Sequence, residues 1–219
     1  MSMYEWDEEM CRGYAEGLRP MVRVDHAPWA QKIAGRLTGL PAGAAVLDVA
    51  SGPGFLLVET ARRIPGLRLV AQDQAEPMLA IAREELKRAG FAAETVCCPA
   101  EHLDVGDSSV DVVLCKQLLH EAADVDRVLG EMRRVLKPGG HAFIIDFDAD
   151  GSRLAAVAVR TLIRVTRGRD IAQNFWKSFS AGLPGAHVRE RMVKQGFTSV
   201  EYLRSGFNYL LVGAKGASA

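Results

Sequence analysis

The chain has 219 residues, 48% of them hydrophobic, with 27 basic and 27 acidic side chains, so its formal net charge is zero. That length buries a full core without disulfide or metal staples, and the charge balance exerts no global pull toward nucleic acid or an anionic membrane. No apolar stretch reaches the roughly 20 residues that span a bilayer, and the acidic start Met1–Met10 lacks the basic residues and apolar run of a signal peptide.

Residues 5 to 38 read as helical, broken near Pro20 and Pro28, with Tyr14 set either to close over a ligand or simply to pack. A strand over 45–50 follows and runs into a glycine-rich turn, Ala50-Ser51-Gly52-Pro53-Gly54, where the glycines let the backbone turn sharply and approach a ligand. Residues 54–64 have helical spacing. Strand, glycine turn and helix start together make a cofactor cradle. A second apolar strand, 67–72, ends at Asp73, whose carboxylate can accept both hydroxyls of a ribose.

The alternation continues with a helix over 76–89, strands near 93–97 and over 110–115, a helix over 124–136 and a strand over 141–147. Residues 152–168 read as a helical insertion and 184–195 as a further helix. Residues 198–203 and 208–213 read as closing strands. This order implies a mainly parallel sheet covered by helices on both faces. Cys11, Cys97, Cys98 and Cys115 show neither a C-x-x-C pair nor a histidine at metal-ligand spacing, so no metal site is expected and the thiols read as reduced, in a cytoplasmic protein.

The spacing of the turn discriminates between cofactors. The dinucleotide fingerprint G-x-G-x-x-G meets Leu57 when started at Gly52 and Phe55 when started at Ala50, so neither register fits. Asp48, just before the turn, would repel a diphosphate and attract a cationic ligand. The stretch Asp48-Val-Ala50-Ser-Gly52-Pro-Gly54 resembles motif I of the class I S-adenosylmethionine-dependent methyltransferases, usually D-x-G-x-G-x-G, with Ala50 in place of one glycine. The resemblance runs from about residue 35 to 215. It takes in Leu69–Leu79, Cys98-Pro-Ala-Glu101, Asp111–His120, and Arg134–Gly140 followed by Ala142–Phe147.

The resemblance implies a Rossmann-like, seven-stranded, mainly parallel sheet with helices on both faces and an antiparallel C-terminal edge hairpin. It also implies S-adenosylmethionine as cofactor and a small-molecule acceptor methylated on carbon, oxygen or nitrogen. Asp48 would hold the donor's ammonium, Gly52 and Gly54 would admit its methionyl part, and Asp73 would take its ribose. Ala50, Gln74, Met78, Ala100, Glu101 and Cys115 would complete the donor site. Pro99 departs from the family, because it offers the adenine neither a side-chain acceptor nor an N–H; Ala100 N–H would take that role, with Glu101 as a substitute.

On the acceptor side, His120 is expected to contact acceptor or donor and to act as a base, or else to be a helix-start histidine bonded to a loop carbonyl. Lys116 would pair with Glu121 or Asp146, or orient an anionic acceptor. His26, His102, His141 and His187 carry no motif and read as surface or cap residues.

The whole chain reads as one domain. It comprises a helical cap over 1–40, a donor-binding core over 41–150, a helical insertion and last helix over 151–197, and closing strands over 198–219. Helix 152–168, with Arg153, Arg160, Arg164 and Arg167 on one face, could be a lid, a subunit contact in a homodimer, or a rest on an anionic membrane or quinone-like substrate. The run Gly182–Phe197 and the segment Tyr209–Lys215 are similar to the ends of menaquinone and ubiquinone biosynthesis C-methyltransferases. Two alternatives stand beside a small-molecule enzyme: a non-methylating relative that binds the donor, and a methyltransferase for a macromolecule. The latter is disfavoured, and no nucleic-acid partner or stable membrane insertion is expected. Cys115-Lys-Gln-Leu stands where an Asn-Pro-Pro-Tyr would, and no basic domain is appended.

Overall fold

The computed structural model describes residues 6–217, so the first half of the acidic start, residues 1–5, lies outside the described residues. Two helices open the fold, α1 (Glu8–Leu18) and α2 (His26–Ala34), separated by a 3-10 turn over Arg19–Met21. Pro20 sits at the break, as its missing N–H requires. Pro28 does not break the chain, because it falls in the first turn of α2, where no N–H is owed to a preceding carbonyl.

The αβ alternation then runs as the apolar runs predict: β1 (Ala45–Val49), α3 (Phe55–Arg63), β2 (Arg68–Asp73), α4 (Glu76–Arg88), β3 (Ala93–Cys97), β4 (Val110–Lys116), α5 (Val125–Val135) and β5 (Leu136–Phe147). Strand β5 begins earlier than the sequence suggests. Leu136 already pairs with Val110, and the Lys137-Pro-Gly-Gly140 turn forms an irregularity before His141 pairs with Val112. Two helices, α6 (Arg153–Arg167) and α7 (Arg169–Ser180), fill the insertion, followed by α8 (Gly185–Lys194), β6 (Phe197–Ser205) and β7 (Asn208–Lys215).

The seven strands form one sheet in the order β3-β2-β1-β4-β5-β7-β6. The first five are parallel, while β7 runs antiparallel to β5 and to β6. Strand β1 is central and covered on both faces, so all five of its residues are buried. Two apolar clusters carry the helices. Leu47, Val49, Val113, Ile144 and Leu211 pack under α5 and α8, and Val46, Leu114, Phe143, Ile145 and Leu210 pack under α2 and α3. Each buried Val, Leu, Ile or Phe contributes about 1.5–3 kcal/mol by leaving water.

The chain lays β1, β2 and β3 outward in one direction, then returns to place β4 on the other side of β1. Strand order therefore reverses between β1 and β4. In open α/β sheets the crevice above the carboxyl ends of the strands at such a reversal is where ligands bind. Asp48, Asp73, Lys116 and Asp146 all lie at or near those ends.

Candidate active site

The loop after β1 is held by β2. Ser51 N–H donates to the Gln72 carbonyl at 2.8 Å, Ala50 N–H to Gln72 Oε1 at 3.0 Å, and Gly52 N–H to Asp73 Oδ2 at 3.0 Å. Gln72 in turn donates through Nε2 to the Cys98 carbonyl at 2.5 Å, which fixes the turn before Pro99. Sequence reasoning named Gln74, which is exposed beside Asp73, and missed Gln72, which is buried. The available signal was the strand itself: Gln72 continues the buried run Leu69-Val-Ala71 of β2.

The two glycines of the loop do different jobs. Both are left-handed, at φ +55° for Gly52 and +75° for Gly54. A Cβ on Gly52 would meet nothing within 4 Å, whereas one on Gly54 would stand 3.3 Å from Ala82 Cβ and 3.6 Å from Leu86 Cδ1. Gly54 thus serves the close packing of α3 on α4, and Gly52 leaves an open cradle. Ala50 also has positive φ, at +52°, a conformation glycine adopts more cheaply.

Asp48 is 2% exposed and its Oδ2 has no hydrogen-bond partner among the described residues. Burial, and then repulsion from Asp73, push its carboxyl up to about 7, against the pull of Lys116. An unpaired buried carboxylate is costly, so the position is built to receive a donor or a cation. Asp73 accepts from Ala75 N–H at 3.0 Å as well as from Gly52. Burial raises its carboxyl too, opposed by those backbone donors. The Gln74 N–H is a third backbone donor, and a carboxylate has about four acceptor sites, so about one remains for a ligand's hydroxyl.

The other expected donor residues surround this pair unequally. Met78 is buried with Cys11 and Ala75 beneath α1, so it supports the helical cap. Ala100 and Glu101 lie in the turn after Cys98, and the Glu101 carbonyl accepts from Arg127 Nε at 2.9 Å. Cys115 is fully buried in the cluster under α5. Tyr14 is 39% exposed and stands edge-on to Trp6, with ring centroids 5.2 Å apart.

Lys116 pairs neither with Glu121 nor with Asp146. Its Nζ lies 2.8 Å from Asp25 Oδ2 and 2.7 Å from Gln117 Oε1. Strand alternation is the reason: Lys116 shares the face of Leu114, toward α2 and α3, while Cys115 points the other way. Asp25 is the N-cap residue of α2 but makes no side-chain cap bond, its carboxylate being turned to Lys116. This pair ties the helical cap to the end of β4.

Next to it, His26 is buried, not at the surface, with its ring 5.7 Å from that of Phe55 at the start of α3. Burial first, and then Lys116, lower its pKa to about 3 despite Asp25, so the ring is neutral. His102 and His187 are exposed, and His141 is half-buried in β5.

His120 stands across the crevice in a tight dyad. Its Nδ1 is 2.7 Å from Asp146 Oδ1, while Asp146 Oδ2 accepts Leu119 N–H at 2.7 Å. Burial opposes a charge on the imidazole. The hydrogen bond to Asp146 and the neighbouring Glu121 carboxylate outweigh it and hold the pKa at about 9. The ring is therefore an imidazolium near neutral pH. Its Nε2 is buried without a hydrogen-bond partner, 3.5 Å from Glu121 Oε1, and the ring lies edge-on to Phe147 at 5.2 Å. Phe147 opens a cluster of Phe175, Phe179, Phe207 and Trp176 under the insertion. The ends of β1 and β2 thus hold carboxylates and an open glycine, and the end of β5 holds an imidazolium, its Nε2 buried beside aromatic rings.

Residues 47–144 match the model of a methyltransferase domain. The chain is 39% identical over 106 residues to a ubiquinone/menaquinone biosynthesis C-methyltransferase from Ralstonia pickettii, covering 48% of this chain and 44% of that protein. It is also 39% identical over 99 residues to the biotin biosynthesis bifunctional protein of Cellvibrio japonicus, covering 45% of this chain and 19% of that one. The matches thus span less than half the length of these relatives. In fold, the chain superposes on a crystal structure from Methanococcus maripaludis, described as a candidate S-adenosyl-L-methionine-dependent methyltransferase, with a TM-score of 0.78 at 20% identity, covering 100% of this chain and 99% of that one.

Proposed function

We propose that this chain is a class I S-adenosylmethionine-dependent methyltransferase and that it transfers the methyl group of S-adenosylmethionine to a small-molecule acceptor. The observation that carries this reading is the orphaned, buried Asp48 Oδ2 next to a glycine whose missing Cβ leaves open space. The residues present fit the donor: Asp48 would receive its ammonium, Gly52 would admit its methionyl part, and the remaining acceptor capacity of Asp73 would take a ribose hydroxyl. Ala100 N–H would face the adenine in place of the acid that Pro99 lacks. The bound donor supplies a methyl on a positively charged sulfur, already activated for displacement.

The protein's own work is then alignment and exclusion of water, which contributes up to roughly 7–11 kcal/mol in well-oriented systems. His120 is the acceptor-side residue. As an imidazolium locked by Asp146, it donates through Nε2–H to an acceptor oxygen and favours the acceptor's anionic form. Lys116, neutralised by Asp25, positions the helical cap beside the donor site.

Two expectations follow from the carboxylates. Without ligand, the Asp48 carboxyl sits at about 7; an ammonium beside it favours the ionised form. Donor affinity should be full above pH 7 and weaken as pH falls below it, by at most about tenfold per unit, with a proton released on binding. Calorimetry at several pH values, in buffers of different ionisation enthalpy, checks this; an affinity flat between pH 5.5 and 8 (about the range in which Asp48 titrates) would remove Asp48 from the ammonium site. Asp73→Ala should weaken binding by about 1.5–3 kcal/mol, the loss of hydrogen bonds to a charged group. Unchanged affinity by the same method would mean that the ribose lies elsewhere.

The overall reaction is tested by incubating the protein with donor labelled in the methyl group and a cell metabolite extract. Label should pass into a small organic product. Label appearing only in protein or nucleic acid would replace the small-molecule acceptor with a macromolecular one.

A further inference from the structure

Among the described residues, helix α6 leaves its outward apolar side without a protein partner. Of its residues only Ala156 is buried, while Leu154 is 86%, Val165 80%, Leu162 60% and Val157 45% exposed. Helical spacing sets Leu154, Ala158, Leu162 and Val165 along one exposed stripe. The inward side is engaged: Ala156 packs in the Phe147–Phe179 cluster, Arg160 stands 4.9 Å over the Trp176 ring, and Arg167 donates to the Gly17 carbonyl. Thr161 and Thr166 return their hydroxyls to the Val157 and Leu162 carbonyls at 2.8 Å, which lowers the polarity of the exposed surface.

Charge is concentrated on the insertion formed by α6 and α7. Residues 153–180 hold six basic side chains, Arg153, Arg160, Arg164, Arg167, Arg169 and Lys177, against the single acid Asp170, in a chain of zero net charge. Arg153 and Arg164 are exposed and share one edge of the stripe. An apolar face bordered by arginines, on a helix of 15 residues, is suited to lying in the interface of a bilayer with its rings of charge among anionic headgroups.

We propose that α6 docks this protein on an anionic membrane surface, with Leu154, Leu162 and Val165 entering the acyl boundary and Arg153 and Arg164 meeting the headgroups. Charge selects this occupant over a second copy of the chain. A two-fold contact through α6 would set the same basic surface against itself, whereas anionic lipid neutralises it. Docking would bring the aromatic cluster beside His120 close to the bilayer, so that lipophilic molecules could reach it without crossing water. The proposal goes beyond the donor-site reading and does not depend on it, because lipid binding is read without methyl transfer.

The test is co-sedimentation of the full chain with vesicles of phosphatidylcholine alone and with about one third phosphatidylglycerol. Binding to the anionic vesicles should exceed binding to the neutral ones by about tenfold or more and weaken with salt. Leu154→Glu with Leu162→Glu should reduce it by about tenfold or more, and Arg153→Glu with Arg164→Glu should abolish the preference for anionic lipid. All four positions are exposed, so circular dichroism should be unchanged. No binding to anionic vesicles, or binding indifferent to both double variants, would overturn the proposal. So would a dimer in sedimentation velocity that the leucine variant dissociates.

Discussion

Gly52→Val is expected to abolish donor binding while the protein stays folded. A Cβ at this position meets no protein atom within 4 Å, so the branched side chain would occupy the cradle itself. It would also hold a left-handed backbone, φ +55°, that costs a β-branched residue about 1–2 kcal/mol. A domain of this size loses only a few degrees of melting temperature for that. Binding measured by calorimetry should weaken by at least about a hundredfold, some 2.7 kcal/mol. Gly54→Ala provides the contrast. Its Cβ would press on Ala82 at 3.3 Å, so it should chiefly loosen the packing of α3 on α4 and lower the melting temperature. Retained binding in a folded Gly52→Val protein would place the ligand elsewhere.

The second large effect is expected at His120. Truncation to alanine would leave Asp146 as a buried carboxylate stripped of its partner, a loss of about 3–5 kcal/mol that confuses folding with catalysis. His120→Asn is the better variant, because its amide can still donate to Asp146 while the group at Nε2 is gone. If Nε2–H contacts the acceptor, turnover should fall by about 10²-fold or more, with donor affinity and melting temperature little changed. The sign of the pH dependence separates the roles. An imidazolium of pKa about 9 that stabilises an anionic acceptor gives a rate that declines as pH rises through 9, whereas a base would give a rate that climbs there. A turnover within a few-fold of the wild type in His120→Asn would leave the dyad a structural tie between β5 and the turn after β4.

Much of this architecture is legible in the sequence because short apolar runs bounded by glycine can be little other than buried parallel strands. Val46, Leu47 and Val49 announce β1, and Leu69, Val70 and Ala71 announce β2. Strand β7 is likewise visible as the apolar run Tyr209-Leu-Leu-Val212, buried because it lies between β5 and β6. Helix α7 was not: after Gly168, the run Gln173-Asn174-Phe175-Trp176-Lys177-Ser178 mixes weak helix formers with aromatics, and its packing on Ala156, Phe147 and Phe207 is tertiary. The expected break at Pro28 overlooked Asp25, a helix-start signal that makes Pro28 a first-turn residue.

The site divides in the same way. Asp48, Gly52 and Asp73 sit in one continuous βαβ unit, so local spacing finds them. The partners that set their chemistry come from distant segments. Asp25 reaches Lys116 from the helical cap, Asp146 reaches His120 from β5, and His26 meets Phe55 across α2 and α3. No local pattern encodes those distances. Cys115 stands in the same stretch as Lys116, and strand alternation sets the two side chains on opposite faces of the sheet.

The most direct test of the central claim is calorimetric titration of the unmodified protein with S-adenosylmethionine, its demethylated product and NAD in turn. One site per chain is expected for the first two, with affinity in the micromolar range, roughly −8 kcal/mol, and no heat from NAD. Binding of NAD, or no binding of S-adenosylmethionine at pH 8, where Asp48, with its pKa of about 7, is ionised, would contradict it.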